Sequence, residues 1–483
     1  MYDQYETVIG LEIHVQLSTE SKAFCGDDAR FGGAPNTHIS AISLGHPGTL
    51  PRLNERQLAY AVKLGMAMGS HINLENRFDR KNYFYADLPK GYQITQDAMP
   101  IAVGGQMDIM VDGRSRTIRL HHIHMEEDAG KSIHDSNAPY SLIDLNRAGV
   151  PLLEIVSEPD LRSAEEVDVY MTAVRQLVRY LGISDGNMQE GSMRCDCNIS
   201  VRKKGETAYG TRCEVKNLNS MRFARKAIAY EVKRQIDILE SGGTIVQNTL
   251  NFDPVTGRTS PLRTKENAND YRYFPEPDLP PIRLSTAYLE QIRSTMPALP
   301  WEVRTQLVET FALSVYDATL ISEEKAIADF YIKWAAHTSY HKAAANLLIN
   351  KIRPWLNEHK KDISDFPLSI STLSAFLALI ETKQVSHSAA YQRLFSACLA
   401  QPEHTPESLA AQLNLLQSSD ANFLIALVDA ALDAHPDKVQ SYHTKGKKGK
   451  GMLGFFMGQV MRASQGKAAP KELQRVLAER LQM

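Results

Sequence analysis

The first part of the chain is expected to fold as an α+β domain and the rest as helices, on three observations. Up to about Pro297, short segments of period-2 hydrophobicity alternate with Gly, Pro and Asn punctuation and two well-formed helical stripes. That is the pattern of a sheet packed with helices, not of repeated βαβ units. Beyond Pro297 the β-branched alternation gives way to Ala- and Leu-rich segments with helical spacing. Two prolines in Gln401-Pro402-Glu403-His404-Thr405-Pro406 then interrupt the helical half. The expected domains are 1–296, 297–405 and 406–483.

Composition narrows the function classes. The 483 residues are 43% hydrophobic and 23% charged, which excludes disordered, collagen-like and coiled-coil chains. Lys and Arg number 54 against 56 Asp and Glu, a net charge of −2, so bulk charge does not bind this chain to DNA or RNA and any nucleic-acid contact is local. Five cysteines, an odd count in a long chain, argue against a disulfide framework and for a reducing compartment. The start lacks the charged and apolar regions of a signal peptide, and no apolar run approaches the roughly 18 residues that span a bilayer. The expectation is a cytoplasmic protein without membrane contact.

Taken in order, the elements carry chemistry on one face. In Thr7 to Leu17, Ile9, Leu11, Ile13, Val15 and Leu17 point one way while Glu12, His14 and Gln16 point the other. That polar face fits either an ordinary half-exposed strand or a metal site, since an acid and an imidazole two residues apart can share one cation. Lys81, within Asp79 to Tyr85, is a candidate for phosphate or a surface lysine on a tyrosine-rich strand. His124-Met125-Glu126-Glu127-Asp128-Ala129-Gly130-Lys131 places three acids together, which repel unless a cation or basic groups neutralise them, and a hard ion such as Mg²⁺ suits oxygen ligands. A solvated acidic turn is the alternative. Met125 stands where a P-loop needs its first glycine, so no Walker motif is present. Glu154 interrupts a strongly apolar strand and needs a partner or a ligand.

Ser163 and Glu166 have capping-box spacing ahead of the stripe Val167, Tyr170, Met171, Val174, Leu177, Val178 and Leu181, which ends at Gly182. In Met193 to Arg202 the apolar face includes Cys195 and Cys197, small thiols expected in a sheet core, and the other face holds Arg194 and Asp196. Thr211 to Lys216 presents Arg212, Glu214 and Lys216 on one face. A second helix runs from about Ser220 to Glu240. From Ser441 onward nine Lys or Arg face two acids, and Lys445, Lys447, Lys448 and Lys450 lie among glycines. Such a tail fits either a phosphate-contacting surface or a solvated linker.

Val8 to His14, Asp79 to Tyr85, Gly91 to Gln96, His124 to Lys131, Glu154 to Asp160, Glu190 to Asp196 and Glu214 to Asn219 together resemble the B subunit of the tRNA-dependent amidotransferase. Gly454 to Met461 with Gly466 to Pro470 is similar to that family's C-terminal segment, so the resemblance runs almost end to end. It implies a glutamine-synthetase-like cradle with an antiparallel sheet, followed by two mainly helical domains. It also implies a heterotrimer with an amidase (A) subunit and a small C subunit. The implied reaction phosphorylates the side-chain carboxylate of misacylated Glu-tRNA(Gln) or Asp-tRNA(Asn) with ATP, then displaces the phosphate with ammonia that the amidase releases from glutamine. On that mapping Glu12, His14, Glu127 and Glu126 are Mg²⁺ candidates. Lys81 and Tyr83 face the nucleotide with Glu154 beside them, and Arg194, Asp196, Glu214 and Lys216 line the same cleft. The tail, including Lys467, is expected to grip the tRNA backbone.

Two departures from the family pattern are visible. Some members carry paired zinc-binding cysteines near the N-terminus, but here Cys25 is followed by Gly26-Asp27, and Ile39-Ser40-Ala41-Ile42 stands at the second pair, so no zinc is expected. Phe311-Ala312-Leu313-Ser314 lacks the glycine usual before Leu-Ser, which bears on a local turn. Two other classes compete with the catalytic reading: a noncatalytic tRNA-binding scaffold, and a free-standing amide ligase. Acid-lined strand faces gain a pure RNA binder nothing, and a free-standing ligase leaves the helices and basic tail idle.

Overall fold

The computed structural model describes residues 2–134, 139–263, 271–417, 421–445, 450–464 and 468–482. At its centre the strand Tyr5–Gln16 pairs antiparallel with Pro151–Ser157 on one side and Met193–Lys203 on the other. Its alternation gives the sheet two different faces: Ile9, Leu11, Ile13 and Val15 are at most 1% exposed, while Glu12, His14 and Gln16 stand on the opposite, half-buried face.

The sheet extends on one side through Arg114–Glu127, Ala102–Val103 and His71–Ile72, and on the other through Cys213–Leu218, Thr249–Asp253 and Arg258–Arg263. Asp112 and Gly113, with φ of 50° and 75°, turn the hairpin from Gln106–Val111 into Arg114–Glu127, as a two-residue hairpin loop demands. The expected antiparallel order holds along this path except that Cys213–Leu218 and Thr249–Asp253 run parallel, so the sheet is mixed. The reason is the helix Met221–Glu240, which carries the chain back across between them.

Helices cover the apolar face. The expected stripe on Ala164–Tyr180 is buried, with Val167, Tyr170, Met171, Val174, Leu177 and Val178 each 0% exposed. Ser163 caps this helix by accepting from Glu166 N at 3.1 Å, and the Glu166 carboxylate reaches back to Arg162 N at 2.6 Å, one residue beyond a standard capping box. Glu55–Ala67, Ala164–Tyr180 and Met221–Glu240 share one core with the strand residues Ile13, Cys195 and Cys197. All five cysteines are buried and free. With one face given to this core, the other is left to polar groups.

The chain divides between Pro300 and Trp301, and the second unit is helical among its described residues. Pro406–Gln412 packs on Ile370–Glu381 and Phe395–Ala400, so the packed helices run past the expected junction at 405. Ala421–Asp433, Lys450–Ala463 and Pro470–Gln482 gather around their own cluster of Leu424, Val428, Phe456, Val460, Leu473 and Leu477. Lys447, Lys448 and Lys467 lie outside the described residues, as do the side chains of Lys445 and Lys450, which bound two tail helices.

Ala312 is where the local turn differs from a relaxed one. It follows the helix Pro300–Phe311 with φ of 52°, left-handed backbone that costs a residue with a Cβ about 1 kcal/mol or more. Its side chain is exposed, so removing it forfeits little packing. Ala312→Gly is therefore expected to stabilise the helical unit by about 0.5–1 kcal/mol. Urea unfolding followed by tryptophan fluorescence checks this, because Trp301, Trp334 and Trp355, the three tryptophans of the chain, all lie in that unit.

Candidate active site

Strand register lays a row of ionisable groups across the open face. His14 stands opposite Glu154 on one neighbour and Arg194 on the other, and Glu154 stands opposite His124 on the next strand. Two residues along the first strand, Glu12 stands opposite Asp196, and beyond it Asn198 stands opposite Glu214. Side chains paired this way lie on one face with Cβ atoms about 5 Å apart, within reach of a common ligand.

The row forms two acidic groups. In the first, His14 Nε2 lies 3.1 Å from Glu154 and 3.5 Å from Glu126, and His124 Nε2 lies 3.5 Å from Glu154 and 3.8 Å from Glu126. Burial alone would lower the His14 pKa, but the carboxylates of Glu154 and Glu126 overcome it and push it up to about 9. Glu154 is held well below the ordinary carboxylate range, because His124 and His14 outweigh the cost of burial. In the second group, ligand atoms of Glu12, Asp196 and Glu214 lie within 4.8 Å of one another. Lys216 Nζ bridges Asp196 at 3.1 Å and Glu214 at 2.7 Å, and Asn198 donates to Glu12 at 2.9 Å. Burial, with Glu154 and Glu214 adding to it, raises the Glu12 pKa. Three acids against one ammonium leave the second group short of positive charge, and its all-oxygen donor set suits a hard divalent ion.

Other cations frame a cleft of about 210 Å³ lined by His14, Lys81, Tyr83, Glu126, Arg194 and Lys216. Arg194 binds Asp128 at 3.1 Å, and Asp128 also accepts from Gln16 at 2.7 Å. Although burial opposes it, Arg194 with Arg147 and Gln16 holds Asp128 below the usual range. Tyr83 OH donates to Gln93 at 3.1 Å, and Gln93 donates onward to Glu126 at 3.0 Å. Lys81 Nζ rests over the Tyr271 ring, 4.9 Å from its centroid.

One expected metal candidate is placed elsewhere. Glu127 does not join Glu12, His14 and Glu126, since successive side chains of an extended strand point to opposite faces. Its carboxylate instead meets Lys90 Nζ and accepts from Ile94 N at 2.9 Å, in a separate cavity of about 260 Å³ that also holds Lys22, Arg80 and Tyr92. The site thus unites Glu12, His14, Glu126, Glu154, Arg194, Asp196, Glu214, Lys216, Lys81 and Tyr83, and leaves Glu127 out. His124, Asp128 and Tyr271 were not among the expected site residues. Spacing could have found His124, two residues before Glu126 on one strand face, whereas no local pattern points to Tyr271.

With divalent cations chelated, His14 is expected to titrate near pH 9, and Glu154→Gln, which removes its nearer carboxylate, should bring that titration down. The stability that these carboxylates give through His14 is complete below its unfolded value of about 6.5 and vanishes as pH rises through about 9. Histidine-labelled NMR titration of both proteins is the check, and an unmoved His14 resonance in the variant would contradict the assigned partner.

Comparison with known proteins places this chain in a family. A model described as the GatB/GatE catalytic domain matches residues 7–290, and one described as the GatB domain matches residues 329–481. The B subunit of the aspartyl/glutamyl-tRNA(Asn/Gln) amidotransferase of Pseudomonas fluorescens (strain Pf0-1) is 46% identical over 99% of this chain and 100% of its own length. The protein of the same name from Alkalilimnicola ehrlichii is 47% identical over 99% of both chains. With the catalytic-domain model spanning the whole acidic sheet and the relatives matching end to end, this chain belongs to the GatB/GatE family of amidotransferase B subunits.

Proposed function

We propose that this chain activates the side-chain carboxylate of misacylated Glu-tRNA(Gln) or Asp-tRNA(Asn) with ATP and Mg²⁺, and then converts it to the amide. The observation that carries this reading is the pairing of two acidic groups on one sheet face with Lys81, a half-buried ammonium held by aromatic rings. The relatives' names, which specify both aminoacylated tRNAs and a B subunit, supply the substrate class and the existence of other subunits. Following the sequence resemblance, these are an amidase subunit and a small third subunit in a cytoplasmic heterotrimer.

The chemistry suits the residues. Oxide is a poor leaving group, so the substrate carboxylate first attacks the γ-phosphorus of ATP, the bond to the bridging oxygen breaks, and ADP departs. Ammonia then adds to the acyl carbon, phosphate leaves with the electron pair of the carbon–oxygen bond, and the surplus proton goes to a base. Lys81 and Arg194 offset phosphate charge. His14, His124, Glu126 and Glu154 would hold one divalent ion and Glu12, Asp196 and Glu214 another; a bound Mg²⁺ supplies charge neutralisation for the phosphates. No zinc enters the proposal. The basic segment from Ser441 onward contacts the tRNA backbone.

The scaffold reading predicts different outcomes. In the complex co-expressed with its partners, Glu154→Gln and Lys81→Met are expected to cut glutamine-dependent amidation by about 100-fold or more. Glutaminase activity and tRNA binding should persist. Full amidation in both variants would support a scaffold instead. Separately, replacing Lys445, Lys447, Lys448 and Lys450 together with Gln should weaken tRNA binding and flatten its dependence on salt while sparing assembly of the complex; affinity that does not change would remove the tail from the interface.

A further inference from the structure

The cations of the cleft are held in two different ways. Arg194 and Lys216 each meet a carboxylate: Asp128 at 3.1 Å for the first, and Asp196 and Glu214 at 3.1 and 2.7 Å for the second. Lys81 forms no such ion pair among the described residues, and Glu126 and Glu154 act on it only from a distance, raising its pKa against the effect of burial. Its ammonium lies 4.9 Å from the Tyr271 ring centroid and 6.0 Å from that of Tyr83, inside the range of attraction between a cation and a ring face. The difference matters for an anion-binding group. A carboxylate would fix the ammonium but also neutralise it, whereas a ring fixes its position and leaves the full charge for an incoming phosphate.

Tyr271 reaches this place from far along the chain, and the local backbone is built to bring it there. The segment from Tyr271 lies along the strand Asp79–Asn82, with Phe274 opposite Arg80 and Pro275 opposite Asp79. Asn82 N donates to Tyr271 O at 2.9 Å, and the Asn82 side chain donates to Arg272 O at 2.8 Å. Arg80 anchors the segment's other end, binding Glu276 at 2.7 Å with its guanidinium 5.7 Å from the Phe274 ring centroid. Between these anchors Arg272 holds a φ of 42°, a strained left-handed conformation that persists only where its surroundings impose it. The Tyr271 ring meets Tyr83 and Tyr273 edge-on, with centroids 5.9 and 6.0 Å apart, and Tyr83 is itself tied to Glu126 through Gln93.

We propose that Tyr271 is a positioning residue for the reaction: its ring face, delivered by the strap Tyr271–Glu276, sets Lys81 where it receives the nucleotide phosphates without cancelling its charge. This deepens the proposed function and rests on Lys81 contacting ATP. The test uses the co-expressed complex and the KM for ATP in amidation. Tyr271→Leu should raise that KM about 5- to 30-fold, the worth of a desolvated cation–ring contact, while Tyr271→Phe stays within about 2-fold of the parent. In a Lys81→Met background, Tyr271→Leu should change KM less than about 2-fold, because the partner it acts through is gone. Progressive fluorination of a phenylalanine at position 271, which drains the ring face with little change of shape, should raise KM step by step. Equal effects of Tyr271→Leu with and without Lys81, or a flat fluorination series, would overturn the proposal. Failure of the underlying reading looks different: Lys81→Met alone would leave the ATP KM unmoved.

Discussion

The registration of four antiparallel strands is the constraint on which everything else in the site depends. His124, Glu154, His14 and Arg194 come from four separate strands, and they share a site because each stands opposite the next. A slip of one residue in any of the three pairings would send a whole strand's polar set into the helix-covered face and bring leucines and isoleucines into the cleft. The apolar face prevents that slip. Ile9, Leu11, Ile13 and Val15 are buried under helices whose own stripes are buried with them, so the hydrophobic core holds the register and the register holds the chemistry.

Such a row is costly as electrostatics and is arranged so that most of the cost is offset locally. Burial opposes ionisation of Glu154 and Asp128, yet both are held below their usual range, one by two imidazoles and the other by two guanidiniums. Compensation is incomplete at Glu12, whose neighbours are mainly acids. At Lys81 the carboxylates of Glu126 and Glu154 outweigh burial and favour the ammonium, although neither pairs with it directly. An acid-rich group and an ammonium without a carboxylate partner sit at the same cleft, and a metal–polyphosphate ligand carries both complementary charges.

The sequence made half of this legible. Period-2 alternation in the first strand and in Met193–Lys203 assigned each side chain to its face, and the solitary acid Glu154 in an apolar strand announced a partner before His14 and His124 were seen to be it. The helix stripe beginning at Val167 was visible for the same reason, because a local period reports a local structure. What could not be read is long-range. No pattern in the chain states which strands are neighbours, that Cys213–Leu218 would pair parallel with Thr249–Asp253, or that Tyr271 would return to Lys81. Glu127 is a different case. Alternation alone separates it from Glu126, and grouping all the acids of His124 to Asp128 together overrode that local rule.

That separation has a consequence for how the two sides of the sheet communicate. Consecutive acids deliver one carboxylate to the cleft and one to the cavity behind it, and Gln93 holds both ends: its amide donates to Glu126 Oε2 at 3.0 Å and to Glu127 O at 2.6 Å. The Glu127 carboxylate also fixes the backbone of the strand Tyr92–Thr95, which pairs with Asp79–Asn82, through Ile94 N, and Tyr83 hangs from the acceptor side of Gln93. Buried and fully used, such a network has few alternative arrangements, because any member that moves leaves a polar group unpaired at a cost of about 1–3 kcal/mol. A displacement of Glu127 therefore reaches Glu126 and Tyr83 through Gln93, and with them the surroundings of His14 and Lys81. Glu127, outside the cleft, is thereby tied by hydrogen bonds to residues that line it.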